Sequence, residues 1–249
     1  MTPGNPERLV RRICIGIMLV TTAEFVIATT GVQINRLPPS TDFATYYLAA
    51  AQSRDHLSPY DRGAIAARGR ALGFGYDQFP FLYPPPFALA LQPLAHLPYE
   101  KARQVWMLLA TAWLLTAMLF TARLVRRQAA WLGIVNSGPV WILLAAFFAA
   151  ALNSTSVHND IRAGSVGTLL FACMTAIALA MLPAAPATRP SAGGPVAPDA
   201  RRPSLASDAL LACALCIATW SKLVPVVLVP LVAWRGRRRA AGIAVLGLA

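Results

Sequence analysis

Among the residues able to do chemistry, Asp42 is a carboxylate that could move a proton. It stands in the run Ser40-Thr41-Asp42-Phe43-Ala44-Thr45-Tyr46-Tyr47-Leu48-Ala49-Ala50. Ser40 or Thr41 reads there as a helix N-cap, and Phe43, Tyr46, Tyr47 and Ala50 recur at helical spacing. The helix dipole favours an ionised carboxylate in the first turn, and such a carboxylate can accept a proton from a hydroxyl. On spacing alone, help with capping explains Asp42 more readily. A second polar group, His158, Asp160 and Arg162, lies in a connection between apolar runs. These types bind a hydroxyl, a phosphate or a metal, but without another carboxylate or histidine they make a poor metal site. A solvated loop accounts for them as well, and Asn153-Ser154-Thr155 also matches a glycosylation acceptor pattern. Lys222 sits inside an apolar stretch beside Pro225, where its ammonium suits a phosphate; snorkelling to an interface is the alternative. Glu24, inside the first apolar run, is better explained by snorkelling or by pairing with an arginine. Cys213 and Cys216 form a C-x-x-C pair with no second pair or nearby histidine, so they read as small hydrophobes.

The elements that must carry these residues are membrane helices. The 249 residues are 57% hydrophobic and 13% charged, with a mean hydropathy of +0.54. Ordinary soluble domains carry roughly a quarter charged residues. The net charge of +12 raises nucleic acid as a partner, but most basic residues flank apolar runs, which excludes it. The sequence therefore predicts an all-α, polytopic helical membrane protein with spans at 13–32, 101–124, 129–152 and 164–182. The first span, long for a signal peptide and lacking an A-x-A-like cleavage site, reads as an uncleaved anchor.

Three arginine clusters, Arg8/Arg11/Arg12, Arg123/Arg126/Arg127 and Arg189/Arg201/Arg202, fall on one side when these spans alternate. That side should be cytoplasmic, with the N-terminus, and the protein should sit in the plasma membrane. Segment 33–100 is then external. It should hold interfacial helices: one after Thr41 with its aromatic residues at headgroup level, and a short one from Asp61 to Leu72 after the turn Ser58-Pro59-Tyr60-Asp61. Pro84-Pro85-Pro86 should hold the backbone extended, and the apolar residues 87–94 should dip into the membrane or rest on the second span. Residues 183–207 read as a flexible cytoplasmic linker. Segment 208–234 has basic residues on both flanks, so a re-entrant hairpin is preferred over a straight span. The apolar run 240–249 reads as the start of a further span, and thus of a shortened chain.

In order, DFATYYLAA after the first span, SPYD, YPPPFALALQPLAHLP leading to Trp106, NDIRAGSVGTLLFA and WSKLVPVVLVPLVAWR resemble the glycosyltransferases of family 87, in the GT-C superfamily. The resemblance implies a GT-C-like fold and transfer of a sugar, commonly mannose or arabinose, from a polyprenyl-phosphate donor to a glycolipid or glycan acceptor. Transfer takes place at the outer face, among membrane lipids, with no cofactor or metal. It makes Asp42 the general base of an inverting displacement. Lys222, and less strongly Arg162, would face the donor phosphate, while Tyr46, Tyr47, Tyr83, His158 and Asp160 would contact sugar or prenyl groups. The chain departs from the family pattern before the fourth span, where Gly164-Ser165 and Gly167-Thr168 stand in place of Gly followed by Gln or Asn. A non-catalytic membrane component, or a remnant that binds lipid or a partner chain, is the alternative. No internal repeat supports a transporter.

Overall fold

The computed structural model describes residues 6–29, 41–74, 80–134, 137–181, 205–221, 228–234 and 237–248. Among them the regular structure is helical: α1 (Pro6–Ile27), α2 (Thr41–Arg54), α3 (Arg62–Ala71), α4 (Pro85–Ala90), a 3-10 turn (Gln92–His96), α5 (Tyr99–Trp131), α6 (Gly138–Leu152), α7 (Thr155–Ala163), α8 (Gly167–Met181), α9 (Leu205–Ser221), α10 (Leu228–Trp234) and α11 (Arg238–Leu248).

The central element is α5. Its 33 residues extend about 50 Å, well beyond the roughly 30 Å of a hydrocarbon layer. It is the one continuous helix among the described residues that is long and apolar enough to cross a membrane. It also runs past the expected end of the second span, so the break before the next helix falls around residues 132–137 instead of 125–128. Leu132 and Gly133, the latter with φ 72°, make the turn, which lies beyond the arginine cluster and not within it. The third expected span is consequently shortened to α6, 15 residues long, bent by 46° from α7. The α6–α7 pair together has the length and composition of one broken span. α8 packs along α5, and α1 along α6.

The region 41–99 differs from its sequence reading in an instructive way. α2 does not present its aromatic residues to headgroups: Phe43, Tyr46, Leu48, Ala49 and Ala50 are buried in protein. α3, α4, the 3-10 turn and α5 enclose it. Its sequence carries no charge between Asp42 and Arg54, and a helix apolar on every side is a core helix, not a surface one. α3 forms as expected, with Asp61 Oδ1 accepting from Ala64 N at 3.0 Å as its N-cap. The prolines begin a helix as well as stopping one. Pro84 is extended (ψ 150°), but Pro85 and Pro86 occupy the first turn of α4, where no backbone N–H is needed. Phe87 and Ala88 then bury against α2.

The last helices form a separate apolar cluster in which α9 packs on α8 and α11. Arg237 Nη1 lies 2.7 Å from Asp208 Oδ1, both largely buried, and the same guanidinium donates to the Ala180 carbonyl. The beginning of α9, the beginning of α11 and the end of α8 therefore meet at one place. Residues 183–204 of the expected linker and the centre of 208–234, including Lys222, lie outside the described residues.

Candidate functional site

The polar residues of α2 and its neighbours converge at the Tyr99 end of α5. Phe43 stacks on Trp106 and Tyr99 (ring centroids 5.5 and 5.9 Å apart). The next turn of α2 presents Tyr46 edge-on to Trp106, Phe87 and Tyr83. Trp106, 1% exposed, sends its Nε1–H to the Gly164 carbonyl at 2.8 Å. That bond fixes the α7–α8 corner onto α5. Gly164 can supply the carbonyl because it ends α7 in the left-handed conformation (φ 70°), which glycine adopts at little cost.

At the heart of this packing the hydroxyls of Tyr46 and Tyr83 share a hydrogen bond of 2.7 Å. Tyr83 is itself positioned by the Tyr60 hydroxyl, which donates to its carbonyl at 2.8 Å. Burial, then the neighbouring Tyr83, then the charges of Asp42 and Asp160 raise the Tyr46 pKa far above its ordinary value. Burial, followed by the same two carboxylates, raises that of Tyr83, against the lowering effect of its bond to Tyr46. Both phenols stay neutral and remain hydrogen-bonding groups. Asp42 and Asp160, far apart in sequence, thus act on one tyrosine pair.

Asp160 is held by the start of α8. Its Oδ2 accepts from Thr168 N at 3.1 Å, satisfying one of the free N–H groups at that helix end. Gly167 leaves the room: a Cβ there would collide with both carboxylate oxygens. Gly167-Thr168 is thus the seat of a carboxylate. No periodicity in the sequence marked this, although a glycine opening a helix seven residues after an aspartate is a usable signal.

The other expected site residues are distributed differently. Residues 155–163 are helix, not loop, so positions two apart face different ways. Asp160 turns to α8, Arg162 is exposed, and His158 packs its ring 5.3 Å from that of Phe25 on α1. The three do not form a single polar group. Tyr47 is also separated from the pair: its hydroxyl donates to the Leu97 carbonyl at 2.8 Å and its ring lies against Tyr99. It ties α2 to the chain entering α5. Among the described residues no three His, Cys, Asp or Glu side chains gather to hold a metal ion.

The model of glycosyltransferase family 87 matches residues 81–249, about two thirds of the chain. The chain belongs to glycosyltransferase family 87. No curated protein and no solved structure matches it. The family 87 match begins just before Tyr83 and takes in His158, Asp160, Arg162 and Lys222, whereas Asp42 and Tyr46 precede it. Membership indicates a glycosyltransferase acting on a sugar donor and an acceptor, and together with the length of α5 it points to a membrane protein.

Proposed function

We propose that this family 87 glycosyltransferase moves a sugar, mannose, from a polyprenyl-phosphate donor to an acceptor hydroxyl at the outer face of the plasma membrane, with a cytoplasmic N-terminus. Asp42 takes the proton from the acceptor hydroxyl as its oxygen bonds to the anomeric carbon. The bond from that carbon to the phosphate oxygen breaks with inversion, and polyprenyl phosphate leaves with the electron pair. Tyr46 and Tyr83 offer neutral hydroxyls and ring faces to the sugar, and Asp160 accepts hydrogen bonds from its hydroxyls. Lys222, and less strongly Arg162, neutralise the phosphate charge that grows as the donor leaves. A re-entrant course of 208–234 is supported by the ion pair between Asp208, at its start, and Arg237, three residues past its end.

The observation that carries this reading is the Tyr46–Tyr83 hydrogen bond on the helix that Asp42 opens, beside the end of a membrane-length helix. Transfer from radiolabelled polyprenyl-phosphate mannose tests it. Asp42→Asn should slow transfer by about 100-fold or more, as loss of a general base does; transfer at the unmodified rate removes Asp42 from that role. Lys222→Met should raise the donor KM, and an unchanged donor affinity rejects its phosphate contact.

A further inference from the structure

We propose that the end of the helix bundle away from Asp42 holds one anionic phospholipid, its phosphate between Arg11 and Arg126 and one acyl chain in the groove between α1 and α6. Arg126 lies 27 residues beyond Tyr99 on an unbroken helix, about 40 Å from the tyrosine site. There Trp141, at the start of α6, carries two guanidiniums: Arg11 of α1 at 5.3 Å and Arg126 of α5 at 5.7 Å from its ring centroid. Neither arginine has a carboxylate partner among the described residues. Two like charges held close to one indole repel each other, and a nearby anion relieves that repulsion. Arg8, Arg12, Arg123 and Arg127 add positive charge around them. Glu7 stands on the same helix as Arg11, and Asp208 is engaged by Arg237.

The apolar half of the site begins one residue away. An open groove of about 360 Å³ runs along α1 and α6, lined by Val10, Ile13, Cys14 and Ile17 on one side and Ile142 and Ala146 on the other. Arg11 lies between Val10 and Cys14 in sequence, and Trp141 precedes Ile142. Arg11 thus shares α1, and Trp141 shares α6, with the residues that line the groove. Ile13, Ile17 and Ile142 leave about half their surface uncovered. The alanines of α6 keep the floor low enough for a chain to lie in it. A cationic cluster beside an open apolar trough complements a phospholipid of negative headgroup.

Binding of phosphatidylglycerol to the purified full chain in detergent, followed by native mass spectrometry against phosphatidylcholine and glycerol phosphate, tests this. The unmodified chain should prefer phosphatidylglycerol over phosphatidylcholine by about tenfold, and Arg11→Gln with Arg126→Gln should erase most of that preference. Ala146→Phe, which fills the groove at an exposed position and leaves every charge in place, should weaken phosphatidylglycerol binding by about fivefold. Arg62→Gln with Arg70→Gln, the same charge change near the other end, should alter nothing. The proposal fails if the Arg11/Arg126 variant keeps the preference, or if the Arg62/Arg70 variant loses as much. It fails too if glycerol phosphate binds as well as the lipid, or if Ala146→Phe binds unchanged. Should the Arg11/Arg126 variant not fold, the Ala146→Phe and glycerol phosphate results still decide it.

Discussion

At the Tyr99 end of α5, the rings of Phe43, Tyr46, Phe87 and Trp106 close over one another and over a pair of phenols. At the Arg126 end, two guanidiniums rest on a single indole beside an open apolar groove. The first end is held by packing that permits one arrangement, which is what a carboxylate needs in order to meet a substrate at a set distance. The second carries more charge, and an apolar groove stays open beside it. One helix thus joins a rigid, aromatic, acid-bearing end to a cationic one.

Substitutions at the two ends should therefore differ in kind. The largest effect is expected from Trp106→Ala, which removes a buried ring and the bond to Gly164: a loss of about 3–5 kcal/mol in denaturant unfolding, against less than about 0.5 kcal/mol for the exposed Arg126→Gln. Equal losses would erase the contrast. Gly167→Ala comes next. Its methyl must displace the Asp160 carboxylate, at a cost of about 1–3 kcal/mol. Because that carboxylate then leaves the tyrosine pair, sugar transfer should fall at least as far as in Asp160→Asn. Gly242→Ala, with open space around it, serves as the neutral comparison in the same melts.

Tyr46→Phe is expected to cost about 1 kcal/mol by leaving the Tyr83 hydroxyl without its partner. It should also change the alkaline limb of stability. Because the folded pKa of Tyr46 is raised by burial, its contribution is complete below about 10, where the unfolded phenol ionises, and declines as pH rises further. Melting temperatures from pH 8.5 upward should thus fall less steeply in the variant; parallel curves would mean that Tyr46 is not buried. The smallest effect belongs to Asp55, between Arg54 and Arg68 on the surface near the same end. Hydrogen bonds from Arg54 and then Arg68 hold its carboxyl down to about 2. The small stabilisation that this gives is present above about pH 4 and lost as pH falls toward 2. Asp55→Asn should lose that acid limb while melting almost normally at neutral pH.

How much of this was legible depended on whether a residue's fate was local. Asp61 caps α3 as its position after a turn implied, and the apolar length of 101–124 marked α5. The burial of α2 was also present in its uncharged run, but an aromatic segment following a membrane helix reads equally as interfacial. The sequence reading of residues 155–163 as a connection missed a helix that turns Asp160 toward α8 and away from His158 and Arg162, which stand four residues apart on one face.

Composition, hydropathy and ordered motifs were sufficient to determine that this chain is helical and belongs among the glycosyltransferases of family 87, because those properties accumulate along the chain. They also singled out Asp42, since a carboxylate in a first turn is a local matter. Only the tertiary structure could join Tyr46 to Tyr83, Asp160 to the start of α8, and Arg11 and Arg126 to Trp141. Such meetings are made by packing between helices distant in sequence, where a single ring or a missing Cβ decides which side chains touch.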